Sequence, residues 1–121
     1  MDAAEPGAAG IAVVPELAPI AVLCSGPVRY RDEDGKRYVH MVGLHVLVRG
    51  EQKELEALLC LNYPNGTYPT RLYFRVNLGL GLNWNENAYI FATQWFSWSW
   101  KDVKATQSPI EILAGHLEAL R

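Results

Sequence analysis

The sequence predicts an α+β fold, a four-stranded antiparallel meander followed by a long Trp-rich loop and a C-terminal helix. Two observations carry this. Four stretches between Ile20 and Val76 alternate or run apolar at strand length, separated by polar turns. The last fourteen residues carry a complete set of helix-start signals ahead of a helical apolar stripe.

The elements follow in order. Met1 to Gly10 is rich in Ala, Pro and Gly and reads as a flexible tail. Ile11 to Pro19 reads as an apolar lead-in, in which Pro15 and Pro19 permit at most a short helix. Residues 1–19 are thus expected to be flexible or irregular, and residues 20–121 to form one domain. Ile20 to Tyr30 is the first strand candidate, and Asp34-Gly35 in the polar stretch after it is a hairpin turn signal. In Tyr38 to Arg49, the residues Tyr38, His40, Val42, Leu44, Val46 and Val48 recur at period two and are expected on one face. Gly50 and Glu51 mark the next turn. Leu55 to Asn62 has Leu55, Ala57, Leu59 and Leu61 on one face and Leu58 and Cys60 on the other, the pattern of a central strand covered on both sides. A Pro/Asn/Gly loop from Pro64 to Pro69 precedes a fourth strand, Arg71 to Val76. Beyond it, Gly79 and Gly81 open a long segment expected to be irregular, running past Asn83 to Trp95, Phe96, Trp98 and Trp100. Ser108 then offers an N-cap, Pro109 the first helical position and Glu111 the far half of a capping box, with Ile110, Leu113, Leu117 and Leu120 as the buried stripe.

Composition narrows the functional classes. At 121 residues the chain suits one domain, and its half-hydrophobic, 20% charged make-up is that of a globular protein. The net charge is −2 and Lys and Arg are scattered, so nucleic acid is not an expected partner. No apolar run has the length of a membrane span, and Asp2 and Glu5 stand where a secretory signal carries basic residues. Cys24 and Cys60 are too few for a disulfide framework and lack metal-ligand spacing, so a reduced, cytoplasmic protein without cofactor or metal is expected. Both cysteines fall on strand candidates, where the thiol usually serves as a small core hydrophobe. Strand alternation is expected to hold His40 and His45 on opposite faces, where they cannot share a metal, and His116 lies near the stripe of the last helix.

One constellation points to chemistry. Gly81 to Phe91 reads G-L-N-W-N-E-N-A-Y-I-F, and Tyr63-Pro64 with Pro69 precedes an apolar strand containing Leu72, Tyr73 and Phe74. With the meander before them and the Ser108-Pro109-Ile110 helix start after them, these motifs resemble a ubiquitin-conjugating (UBC) domain over about residues 20–121. The resemblance makes Asn83 the motif asparagine and puts the nucleophilic cysteine eight positions on, at Phe91, or at Ala92 if the loop differs by one residue. A phenyl ring forms no thioester. Gly81-Leu82 replaces the family's His-Pro, and the family's opening helix is reduced. The resemblance also makes Tyr68 and the aromatic cluster Trp95, Phe96, Trp98 and Trp100 candidate partner-binding residues, since Trp and Tyr anchor interfaces. The competing role for the cluster is to cap the sheet under the last helix. Alternation puts Phe96, Trp98 and Trp100 on one side and Trp95 on the other.

Three functional readings follow. In the first, this is a non-catalytic adaptor of a bacterial ubiquitination-like pathway, antiphage defence included. Its partner would be a ubiquitin-like protein, an activating or conjugating enzyme, or a conjugation target such as a nucleotidyltransferase. In the second, it is a true conjugating enzyme whose cysteine is replaced at Ala92 or Phe91. In the third, it is an α+β interaction domain with no ubiquitin link, and separation of Asn83 from Phe91 would favour that reading.

Overall fold

The computed structural model describes residues 13–121; the expected tail, Met1 to Gly10, lies outside the described residues. The chain is α+β, with one antiparallel sheet and a C-terminal helix. The sheet has six strands rather than four. They are β1 (Val28–Glu33), β2 (Lys36–Val48), β3 (Glu51–Cys60), β4 (Arg71–Phe74), β5 (Glu86–Ile90) and β6 (Thr93–Ser97), in the order β1-β2-β3-β4-β6-β5. A 3-10 turn, Pro15–Leu17, runs into the short helix α1 (Ala18–Ala21). Helix α2 (Pro109–Leu117) ends in a 3-10 turn, Glu118–Leu120.

The first strand candidate is corrected at its start. Ile20 and Ala21 are helical, because Pro15 and Pro19 sit where a helix tolerates proline, in its first turn. Leu17 and Ile20 are fully buried against the sheet. Cys24 makes only an isolated bridge to Leu44, and β1 begins at Val28.

Three two-residue turns join neighbouring strands, each with positive φ at both residues: Asp34-Gly35, Arg49-Gly50 and Phe91-Ala92. This geometry matches the twist of the flanking strands, and glycine adopts it freely. Arg49 has a second role. Its guanidinium donates to the carbonyls of Ala119, Arg121 and Leu80, holding the end of the C-terminal helical segment against the β2–β3 turn.

The single apolar face expected along β2 is also corrected. A bulge between Met41 and Leu44 switches the alternation. Val39 and Met41 before it, and Leu44, Val46 and Val48 after it, all face the helices. His40 and His45 therefore share the opposite face, contrary to the period-two expectation. Gly43 sits in the bulge at φ +69°, and a Cβ there would lie 2.1 Å from Ser25 Oγ. The close approach lets Ser25 and Gly26 donate their N–H groups to Gly43 and Val42.

Two cores result. On the helix side, Leu17, Ile20, Met41, Leu59, Leu72, Phe74, Trp98, Ile112, Leu113 and Leu120 pack together. On the far side, Tyr38, Leu58, Cys60, Tyr73, Ile90 and Trp95 form a smaller core. The expected two faces of β3 divide between them, Ala57 and Leu59 toward the helices and Leu58 and Cys60 away. The cover of the far side is the β5–β6 hairpin, in the segment expected to be irregular. Only Tyr73↔Ser97 and Phe74↔Phe96 register β6 with β4. That short join leaves the hairpin free to fold across the far face.

The stripe of α2 is rotated from the expected one. Ile112, Leu113 and His116 are its buried residues, while Ile110 and Leu117 are half-buried. His116 is 2% exposed; its Nε2 lies 2.9 Å from Thr70 Oγ1, whose hydroxyl donates to Val103 O at 2.8 Å. The ring is thus a neutral Nε2–H donor. Burial, with Arg71 nearby, pushes its pKa down from 6.5 to about 4. Between those values the unfolded chain binds the proton and the folded chain does not. Stability is therefore full above pH 6.5 and falls as the pH drops toward 4, by up to about 3 kcal/mol. Urea unfolding across this range should show that loss in the wild type and a smaller one in His116→Gln, which keeps a donor for Thr70 but cannot titrate. Equal pH slopes would refute the assignment.

Candidate functional site

The turn at the tip of the β5–β6 hairpin is built from residues ill-suited to it. Phe91 (φ 53°) and Ala92 (φ 57°) take the left-handed conformation, which costs non-glycine residues roughly 1–2 kcal/mol each. A clasp offsets the cost. The Phe91 N–H donates to both carboxylate oxygens of Glu33 at 3.1 Å. The Arg31 guanidinium lies 3.8 Å from the centre of the Phe91 ring, and Tyr38 meets the ring edge-on at 5.4 Å. A hydrogen bond to a charged acceptor contributes about 1.5–3 kcal/mol and a cation–π contact about 0.5–2 kcal/mol. Phe91 is thus committed to holding the hairpin on β1 and β2. Ala92 is exposed on the turn.

Asn83 lies elsewhere. Its carbonyl accepts the Ser99 N–H at 3.0 Å, at the opposite end of β5 from Phe91. An extended five-residue strand separates the two, a span of roughly 16 Å. The structure does not bring together the pair that the motif would require to act on one carbonyl.

The thiols offer no substitute nucleophile. Cys60 is fully buried and Cys24 partly so, and burial pushes each pKa up to about 11. Among the described residues, no three or more His, Cys, Asp or Glu side chains gather as a metal site. His40 instead meets Glu56 at 2.7 Å, and His45 lies 3.9 Å from Glu54.

The aromatic candidates divide. Trp95 and Trp98 are 1% and 2% exposed and build the far and helix-side cores, so neither ring offers a contact surface. Trp98 stacks on Phe74 and meets the edge of His116. Trp100 is half-buried and donates its indole N–H to Gly115 O at 2.9 Å, tying the segment before α2 to that helix. Phe96 and Tyr68 remain partly accessible. They are on opposite sides of the sheet: Phe96 opposite Phe74 on the helix side, Tyr68 beside Arg71 on the far side. Tyr89, absent from the expected set, is 75% exposed, and it shares the outer face of the hairpin with Phe96.

A polar cluster that the sequence does not signal lies under the Tyr63–Thr70 loop. Arg71, 4% exposed, carries Tyr63 and Tyr68 over its guanidinium at 4.7 and 5.9 Å. Its Nη1 donates to Asn85 Oδ1 at 3.2 Å and lies 3.9 Å from Glu86. Glu86 accepts the hydroxyls of Tyr63 and Tyr73, one on each oxygen, both at 2.7 Å. Burial, then the hydrogen bond to Glu86, raises both phenol pKa values, so these tyrosines stay protonated donors. The cluster ties the loop, β4 and the start of β5 together.

Compared with family models, curated proteins and solved structures, the chain matches none. Its class is therefore the one its geometry defines: an α+β domain with two cores, one sealed by a folded-over hairpin.

Glu86→Ala leaves two hydroxyls and a buried guanidinium short of an acceptor and should destabilise the protein by about 3 kcal/mol in urea unfolding. Tyr63→Phe removes one of those bonds and should cost about 1 kcal/mol. Equal losses would mean that Glu86 is not the hub.

Proposed function

We propose that this domain acts by binding a protein partner and performs no thioester chemistry. The observation that carries the reading is the state of the motif's nucleophile position. Phe91 there is locked by Glu33 and Arg31 into a turn, and burial keeps both thiols of the chain protonated, Cys60 within the far core. What stands free for contact is the outer face of the hairpin, which carries Tyr89 and the half-buried Phe96, neither a member of either core, with the Gln94–Asn87 hydrogen bond on the same face. Exposed aromatic rings on a rigid hairpin are the kind of anchor that protein interfaces use.

A narrower reading makes the domain a UBC-like adaptor in a bacterial ubiquitination-like pathway. In that case it would hold a ubiquitin-like protein, an activating or conjugating enzyme, or a target such as a nucleotidyltransferase. Its support is the order of motifs: the β1–β4 meander, the Tyr63-Pro64 to Pro69 loop and the Ser108-Pro109 helix start. The distance between Asn83 and Phe91 favours the broader reading, an interaction domain with no ubiquitin link.

Both readings predict that the chain forms no thioester with a ubiquitin-like protein. Wild type, Phe91→Cys and Ala92→Cys would each be incubated with an activating enzyme, a ubiquitin-like protein and ATP, then run on a non-reducing gel. No thiol-sensitive adduct is expected from any of them, because a cysteine at the hairpin tip has no neighbouring Asn83 to assist it. An adduct on either cysteine variant would revive a replaced nucleophile, and one on wild type would overturn the proposal.

A further inference from the structure

The two edges of the sheet are guarded differently. Edge strand β1 reads V-R-Y-R-D-E; Arg31 and Glu33 hold Phe91, and the exposed Arg29 and Asp32 still guard the edge against strand-to-strand association. Edge strand β5 reads E-N-A-Y-I. Its one charge, Glu86, is turned inward to Tyr63 and Tyr73. The outward edge of β5 therefore carries no guarding charge.

The turn fixes which backbone groups that edge presents. In a two-residue turn of this type the flanking residues, Ile90 and Thr93, exchange hydrogen bonds with each other. The pattern alternates along an antiparallel pair, so Ala88 and Glu86 also bond to β6, and Asn87 and Tyr89 direct their N–H and C=O groups away from the sheet. No other backbone group among the described residues bonds to them. Asn87 is exposed and Tyr89 is 75% exposed, so the edge is open.

We propose that the β5 edge pairs with the β5 edge of a second copy of this chain, antiparallel, about a twofold axis at Ala88. The free groups are symmetric about that residue. With Ala88 opposite Ala88 of the other copy, Asn87 faces Tyr89 and Tyr89 faces Asn87, and each pair exchanges two hydrogen bonds. Ala88 then occupies the non-hydrogen-bonded position, where strands approach most closely, and it has a side chain small enough for that approach. Glu86 falls opposite Ile90, so no like charges meet along the register. A heterologous strand would satisfy the same backbone groups; self-pairing is favoured because this register sets no like charges opposite each other and places the small Ala88 on the axis. The pairing joins two six-stranded sheets and leaves the Tyr89 and Phe96 faces of both hairpins accessible.

The interface is small, so the dimer belongs to the weak class and is sought by sedimentation equilibrium from about 1 μM to about 1 mM. The wild-type mass should rise toward twice the monomer across that range. Tyr89→Pro removes one outward N–H without touching a bond to β6; with its circular dichroism and melting unchanged, it should weaken association at least tenfold. Tyr89→Thr, which keeps the N–H and favours strand, should associate within a few-fold of wild type. Mild oxidation should convert Ala88→Cys, and not Tyr89→Cys, to a disulfide-linked dimer, because only position 88 meets itself. A wild type that stays monomeric at about 1 mM, a dimer indifferent to Tyr89→Pro, or cross-linking favoured at position 89 would each overturn the proposal.

Discussion

The arrangement depends on one contact, the clasp between the Phe91 turn and the end of β1. In a flat sheet of this strand order, β1 and β5 would lie roughly 24 Å apart, five strand spacings. Yet the Phe91 N–H is held by Glu33 and the Phe91 ring by Arg31, both on β1. The hairpin must therefore lie across the far face, and it seals Trp95, Ile90, Tyr73, Leu58 and Cys60 from solvent. Without it, β3 would expose apolar residues on one side. The clasp thus explains why a central strand with two apolar faces is stable here although the helices cover only one of them.

The same contact leaves Phe91 in a packing role. A nucleophile needs an accessible atom and a neighbour to stabilise developing charge. Phe91 is consumed in packing, and Asn83 is tied to Ser99 at the other end of β5. The charged groups near the hairpin are likewise committed: Glu33 to the Phe91 amide, Glu86 to two tyrosines, Arg71 to Asn85 and the tyrosine rings. Such committed groups rigidify a surface.

Much of the meander is legible in the sequence, for local reasons. Asp34-Gly35 marks its turn, and Gly50 marks the next to within one residue (Gly50-Glu51 expected, Arg49-Gly50 found), because glycine takes positive φ without strain. The two faces of β3 follow from strand alternation alone, and the start of α2 from its capping residues: Glu111 accepts both the backbone N–H and the hydroxyl of Ser108. The hairpin is hidden because its turn is Phe-Ala, held by tertiary contacts rather than by its own preference. The β2 bulge is hidden because one glycine in an apolar run, Gly43, changes the face of everything after it. Arg71, Glu86, Tyr63 and Tyr73 are joined by folding across 23 residues of chain between Tyr63 and Glu86, so no spacing rule could assemble them.

The clasp is tested most directly by amide hydrogen exchange at Phe91, compared between wild type and Glu33→Ala. The Phe91 amide should be protected in the wild type. In the variant that protection should be lost together with that of the inward amides of β5, while the amides pairing β2 with β3 keep theirs. A Phe91 amide that exchanges freely in the wild type, or one unchanged by Glu33→Ala, would contradict the claim that this contact holds the hairpin across the sheet.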